Sequence, residues 1–156
     1  AKLHNMAVRI ARPALSYGPG MTLGGGRVIS QFMNKAYSDK KIVMVDDGKD
    51  LRCFCYMSDV LRELLYVLLH SKDVIYNVGS SAEEISIMDL ATLIGKLMLA
   101  EVIPGPGKDF AVAAAPSRVK LDLAKLEKES GFQTTVRMQE GMRRTIDWNM
   151  ALLAEK

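Results

Sequence analysis

An α/β fold is the class this sequence predicts. Short apolar runs rich in β-branched residues alternate with longer stretches whose apolar residues recur at helical spacing. Gly, Pro and Asp punctuate the joins, and no repeat, linker or low-complexity tract breaks the order. With 156 residues, 49% of them hydrophobic and 25% charged, the chain is long enough to bury one core of ordinary size as a single unit over residues 1–156.

The elements follow in order. Ala7 to Arg12 reads as a buried strand, and a glycine-rich loop from Gly18 to Gly26 leads from it into a helix predicted over Arg27 to Tyr37. That helix carries Val28, Ile29, Phe32, Met33 and Ala36 on one face. Lys41 to Asp59, KIVMVDDGKDLRCFCYMSD, reads as two short strands joined by an Asp-Asp-Gly turn, with a helix opening after Ser58. Val60 to Leu69 continues this helix with Leu61, Leu64, Leu65 and Leu68 at helical spacing, and Val74 to Val78 returns as a strand. Ser86 is placed as an N-cap, with Asp89 three residues on and Ile85 and Leu90 set as a hydrophobic staple. The helix it starts buries Ile87, Leu90, Ala91, Ile94, Leu97 and Met98. Asp122 caps a shorter helix that stops at Gly131, a left-handed C-cap followed by Phe132. Met138 to Ala154 supplies a last amphipathic helix, with Met142, Ile146, Asn149 and Leu153 along one stripe.

Composition removes several function classes. A net charge of +3 and a pI near 8.9, with Lys and Arg scattered, do not mark a nucleic-acid surface. The longest apolar runs, such as Leu64 to Leu69, fall far short of the roughly 20 residues that span a bilayer, and no leader is read at the start. No membrane contact and a cytoplasmic location are therefore expected. Cys53 and Cys55 lie two apart on a strand and suit neither a disulfide nor a four-ligand zinc site, so packed, reduced thiols are expected. His4 and His70 are far apart in the chain, which leaves no metal-ligand spacing.

Phosphate-binding glycine motifs are near misses. Gly18-Pro19-Gly20 follows a strand, but Leu23 holds the third glycine position of a dinucleotide fingerprint. Gly105-Pro106-Gly107 fails at Phe110, and Gly107-Lys108 is followed by Asp109 instead of Ser or Thr. No cofactor-binding residue is assigned. The arginines are a better lead, because guanidinium forks match phosphate oxygens and stay charged. Arg52 lies within an otherwise apolar strand and needs either a carboxylate or a ligand as partner. Arg118, in Ala-Pro-Ser-Arg-Val-Lys-Leu-Asp, stands just before a helix as a surface charge or a ligand contact. Arg27 opens a helix against the dipole, which points to a local anion.

The chain also resembles a known family. The carrying residues are Arg12-Pro13, Tyr17-Gly18-Pro19, Gly26 to Phe32, Gly48 to Arg52, Phe54, Tyr56 to Asp59, Tyr76-Asn77-Val78-Gly79, Ile85-Ser86-Ile87, Pro116-Ser117-Arg118, Asp122, Gly131-Phe132 and Glu140-Gly141-Met142. In this order they resemble extended short-chain dehydrogenase/reductases of the NAD-dependent nucleotide-sugar epimerase/dehydratase type, UDP-glucuronate decarboxylases and dTDP-glucose 4,6-dehydratases among them. The resemblance implies the substrate-binding, carboxyl-terminal half of such an enzyme, with residual strands of the Rossmann domain. It implies that Arg52 grips the diphosphate of a nucleoside-diphosphate sugar, that Arg118 contacts phosphate or ribose, and that Arg27 lines the nucleotide pocket. Two departures stand out: Leu15 replaces the asparagine common in the loop after the first strand, and Arg118 comes two residues after Pro116 where decarboxylases place arginine three after.

Catalysis in this superfamily uses a Tyr-x-x-x-Lys pair on one helix, where the lysine lowers the tyrosine pKa. The spacing occurs here only from Tyr37 to Lys41, which runs out of a helix into a strand, so no catalytic residue is assigned. Ala1 to Asn5 reads as the tail of the helix that would carry the true pair. The expectation is thus a chain whose amino-terminal NAD-binding Rossmann half is absent, whose intact form uses NAD and dimerises, and which alone binds no cofactor tightly and turns nothing over. Apolar surface along the first strand and its neighbours should then lie exposed. The alternative is a stand-alone or degenerate, non-catalytic nucleotide-sugar binding module. A relative acting on an uncharged alcohol is disfavoured, having no use for the arginines. Base, sugar and reaction type stay open.

Overall fold

The computed structural model describes residues 6–80, 84–106 and 116–155, so the reading of Ala1 to Asn5 and of Gly107 to Phe110 lies outside the described residues. In chain order the elements are β1 (Ile10–Pro13), β2 (Leu15–Tyr17), α1 (Val28–Asp39), β3 (Lys41–Val43), β4 (Leu51–Tyr56), α2 (Met57–His70) and β5 (Ile75–Val78), followed by β6 (Glu84–Ser86), α3 (Ile87–Met98), β7 (Glu101–Ile103), β8 (Arg118–Val119), α4 (Ala124–Ser130) and α5 (Met138–Ala154). The α/β expectation holds. Among the described residues no helix is long and apolar enough to cross a membrane.

Among the described residues, three small sheets organise the strands. β1 and β5 pair in parallel, as do β3 and β7. β4 is the hub of the third sheet: its end pairs in parallel with β2, and its start pairs with antiparallel β6 and parallel β8. Ala14 is the hinge between sheets, since β1 lies beside β5 while β2, one residue on, lies beside β4. Its N–H donates to Val78 O at 2.7 Å and ties the crossing point to β5.

Two cores result. The larger packs α1, α3 and α5 around the strands, with Phe32, Met33, Ile42, Leu90, Ile94 and Met142 fully or nearly buried. The smaller lies between α2, β5 and α4 and contains Cys55, Val60, Val67, Tyr76, Val78 and Leu126. Cys53 and Cys55 are buried free thiols. Ser86 caps α3 by accepting the Asp89 N–H, and Gly131 ends α4 at φ 70° with its N–H on Glu127 O. Asp122 acts one residue earlier than a formal N-cap, accepting the Ala124 N–H at 2.9 Å.

Three expectations are corrected, one of them the first strand: read as buried over Ala7 to Arg12, it runs from Ile10 to Pro13 and is mostly exposed, since its one partner among the described strands is β5. β3 and β4 do not form a hairpin: β3 pairs with β7, and the segment between β3 and β4 folds onto the start of α3. Asp46 and Asp47 make side-chain turns to the N–H groups of Gly48 and Lys49, and the left-handed Gly48 (φ 65°) lets its carbonyl accept the Met88 N–H. A Cβ at Gly48 would lie 2.7 Å from Met88 N, so this docking needs glycine. The third correction concerns α2, whose buried side is Asp59, Val60, Glu63 and Val67, while Leu61, Leu65 and Leu68 are more than half exposed. Helical spacing alone gives two possible stripes, and the polar anchors Asp59 and Glu63 select the one that turns inward.

Candidate functional site

The site is built where β2 leaves its sheet. Leu15, Ser16 and Tyr17 are held in register with Phe54, Cys55 and Tyr56 of β4. Tyr17 is buried, meets Tyr56 edge-on at 5.6 Å between ring centroids and donates its hydroxyl to Met138 O at 3.4 Å. It is packed beneath the loop as a support. Gly141 makes this possible, because a Cβ there would lie 2.5 Å from the Tyr17 hydroxyl oxygen and 2.7 Å from the Tyr56 ring.

Beyond Tyr17 the glycine-rich loop wraps a cavity of about 790 Å³ whose walls include Pro13, Leu15, Gly20, Arg27, Ser30 and Met57. Arg27 stands extended at the N-cap of α1, with no acidic residue in the first turn. It is exposed and makes no ion pair with the described residues. The first-turn N–H groups of a helix lack intrahelical acceptors and carry partial positive charge, so this end of α1 together with a free guanidinium favours an anion.

Arg52 lies close by. It lines a second cavity of about 180 Å³ with Leu15, Cys53, Val119 and Leu121. A third, of about 140 Å³, lies against Arg27, Leu15, Met21 and Phe54. Leu15 therefore borders all three spaces and stands between the two arginines. Arg52 has the carboxylate partner that its apolar surroundings demand: Nη2 is 3.2 Å from Asp50 Oδ2, and Nη1 donates to Leu51 O at 2.8 Å.

Arg118 is placed differently. β8 pairs with β4 so that Val119 lies beside Arg52 and Arg118 beside Leu51. Neighbouring residues on a strand point to opposite faces, so the register turns Arg118 away from Arg52. There it forms a two-pronged pair with Glu84, at 2.6 and 2.7 Å, and its hydrogen bonds hold the Glu84 carboxyl below its ordinary range. The structure brings Arg27 and Arg52 to adjoining cavities and does not bring Arg118 to them.

The remaining polar groups serve the frame. Asp59 accepts hydrogen bonds from the Thr135 N–H, the Thr135 hydroxyl and the Val136 N–H, which fastens α2 to the segment before α5. Burial pushes the Cys55 thiol up to about 12, with the Glu63 and Asp59 carboxylates adding to it, so it is no nucleophile at neutral pH. Tyr37 and Lys41 are separated by the end of α1 at Lys40, and Lys41 pairs with Glu101 across β7. Sequence reasoning missed Leu15 as the divider of the cavities, since only the pairing of β2 with β4 puts it there.

Comparison with known proteins gives a consistent result. Residues 1–79 match the profile of the NAD dependent epimerase/dehydratase family. The UDP-glucuronic acid decarboxylase 1 of Xenopus tropicalis is 28% identical over 151 residues, covering 94% of this chain and 34% of that protein. An epimerase from Methanothermobacter thermautotrophicus superposes with a TM-score of 0.84 at 23% identity, over 99% of this chain and 47% of that one. A UDP-glucuronic acid 4-epimerase from Bacillus cereus, solved with UDP-glucuronic acid and NAD, superposes with a TM-score of 0.78 at 22% identity, over 97% of this chain and 48% of that one. The chain thus spans about a third to a half of the length of these relatives.

Proposed function

The chain belongs to the NAD dependent epimerase/dehydratase family, and from that membership we propose that it is the part of such an enzyme that binds the nucleoside diphosphate of a sugar nucleotide. The observation that carries this reading is the cavity at the start of α1, with an unpaired Arg27 on its wall and Arg52 in the space adjoining it. In this reading a diphosphate lies along that row. One phosphate takes the N–H groups of the first turn of α1 and the Arg27 guanidinium, and the other draws Arg52 from Asp50. Arg118 stays with Glu84 behind the strand.

The described residues do not fit NAD by themselves. Leu23 occupies the third glycine position after β2, and β1 has β5 as its partner in a sheet of two strands. A parallel sheet is normally covered on both faces by helices, yet Ile10 and Ile75 on these strands, and Val8 just before β1, are about two-fifths exposed. We propose that a cofactor-binding α/β half seats on this surface and brings the hydride and proton chemistry.

Titration calorimetry with UDP on the wild type, Arg27→Ala, Arg52→Ala and Arg118→Ala tests the binding claim. A charge-assisted hydrogen bond contributes about 1.5–3 kcal/mol, so the first two variants should each lose about tenfold or more in affinity. Arg118→Ala should bind like wild type. Equal binding by all four proteins removes Arg27 and Arg52 from the site.

A further inference from the structure

Arg52 has donors to spare. A guanidinium carries five N–H donors, and the described residues take two of those of Arg52: Nη1 donates to Leu51 O at 2.8 Å and Nη2 to Asp50 Oδ2 at 3.2 Å. The cavity of about 180 Å³ that Arg52 lines is otherwise walled by Pro13, Ala14, Leu15, Cys53, Val119 and Leu121, which carry no charge. Its charge balance therefore turns on Asp50.

Asp50 is fixed in place by its backbone. Its carbonyl accepts the Ile87 N–H at 3.0 Å, the Leu51 N–H donates to Ser117 O at 2.8 Å, and Gly48 O accepts the Met88 N–H at 2.9 Å. The chain on both sides of the residue is thus fastened to the start of α3 and to the segment before β8. The Arg52 and Asp50 side chains are 16% and 10% exposed, so water and salt screen their charges little. Glu84 on β6 lies beside Cys53 in the register and is held by both prongs of Arg118 on the other face. A phosphate that reaches Arg52 meets one guanidinium and, behind it, one fixed carboxylate.

We propose that Asp50 is a specificity-determining residue that sets how much negative charge the phosphate at Arg52 can carry. In a sugar nucleotide each phosphate is a diester with a single charge, whereas the terminal phosphate of a free nucleoside diphosphate carries close to two charges above about pH 7. Repulsion from a fixed and poorly screened carboxylate falls on the surplus charge, so Asp50 shifts the preference of the site toward the diester. The ligand named here rests on the nucleotide reading given above, and the role of Asp50 as a charge filter does not.

Calorimetry at about pH 8 with UDP and UDP-glucose on the wild type, Asp50→Asn, Asp50→Ser and Asp50→Glu tests the proposal. Asn keeps an oxygen to accept from Arg52 and removes the charge. A merely structural effect of the substitution acts on both ligands alike, so the ratio of the two affinities isolates the charge. Asp50→Asn should raise the affinity for UDP by about fivefold or more beyond any change for UDP-glucose, and Asp50→Glu should keep the wild-type ratio. An unchanged ratio in Asp50→Asn overturns the proposal. So does loss of the folded state in both Asp50→Asn and Asp50→Ser, since Asp50 would then be held by stability alone. Inorganic phosphate against dimethyl phosphate, read by NMR at the Arg52 guanidinium, separates the two readings. A gain in Asp50→Asn for inorganic phosphate over dimethyl phosphate, with no binding of UDP or UDP-glucose by any of the proteins, removes the nucleotide reading and leaves the charge filter. An Arg52 signal that no anion perturbs in any of them overturns both.

Discussion

Asp59 and Glu63 sit one turn apart on the buried side of α2, yet the fold treats their charges in opposite ways. Burial pushes Asp59 up, but the Thr135 hydroxyl, the Val136 and Thr135 N–H groups and Arg62 outweigh it and hold the carboxyl below its ordinary value. Glu63 is pushed up by its burial, which outweighs the Gly79 N–H and Arg62, and ends near 7. The signs follow. Between about 4.5 and 7 the folded state holds a proton on Glu63 that the unfolded chain releases, so stability falls as pH rises through that window. Asp59 contributes stability above its unfolded value and loses it only as pH falls below that, outside the Glu63 window. A carboxyl moved as far as Glu63 costs the fold on the order of 3 kcal/mol once ionised. Urea denaturation at pH 5 and pH 8 should therefore give a higher midpoint at pH 5, and Glu63→Gln should remove most of the difference. The sequence marks Asp59 as a structural residue at the strand-to-helix junction, but the opposite titration of the two carboxyls depends on donors far away in the chain and is not legible there. The need of Arg52 for a partner was legible, because a cation in an apolar strand segment is costly alone, and Asp50 meets it.

Elements with a strong period were the most legible. The final helix is read from the sequence as Met138 to Ala154 and has those bounds, since Met142, Ile146 and Asn149 recur on one side. β6, β7 and β8 were not read, because strands of two or three residues carry no alternation to detect. The Glu140-Gly141-Met142 segment was noticed for its resemblance, and its physical role is packing: Gly141 allows α5 to lie against the Tyr17 and Tyr56 rings. Gly141→Ala should thus destabilise the fold by about 1–3 kcal/mol even though Ala is the better helix former. A thermal melt that shows Gly141→Ala equal to or above wild type would remove this close approach from the account.

For the molecule as a whole, the most telling feature is the outer flank of α2, on the side away from β5. Leu61, Leu65 and Leu68 are each more than half exposed there, so they stabilise the isolated fold little and favour association through an apolar patch. Sedimentation velocity should show concentration-dependent self-association of the wild type. Leu65→Lys should reduce it while leaving the melting temperature nearly unchanged, because its side chain is already in contact with water. A wild type that stays monomeric at high concentration would count against the patch. By itself the sequence determined the alternation of strands and helices, the helix caps at Ser86 and Gly131 and the family resemblance, because these depend on local propensity and on the order of short motifs along the chain. Only the tertiary structure decided that β3 pairs with β7, that α2 turns its acids inward and its leucines outward, and that Val119 instead of Arg118 shares a face with Arg52. Those outcomes depend on strand register and on which buried donors meet which side chains, and both are set by contacts between residues far apart in the chain.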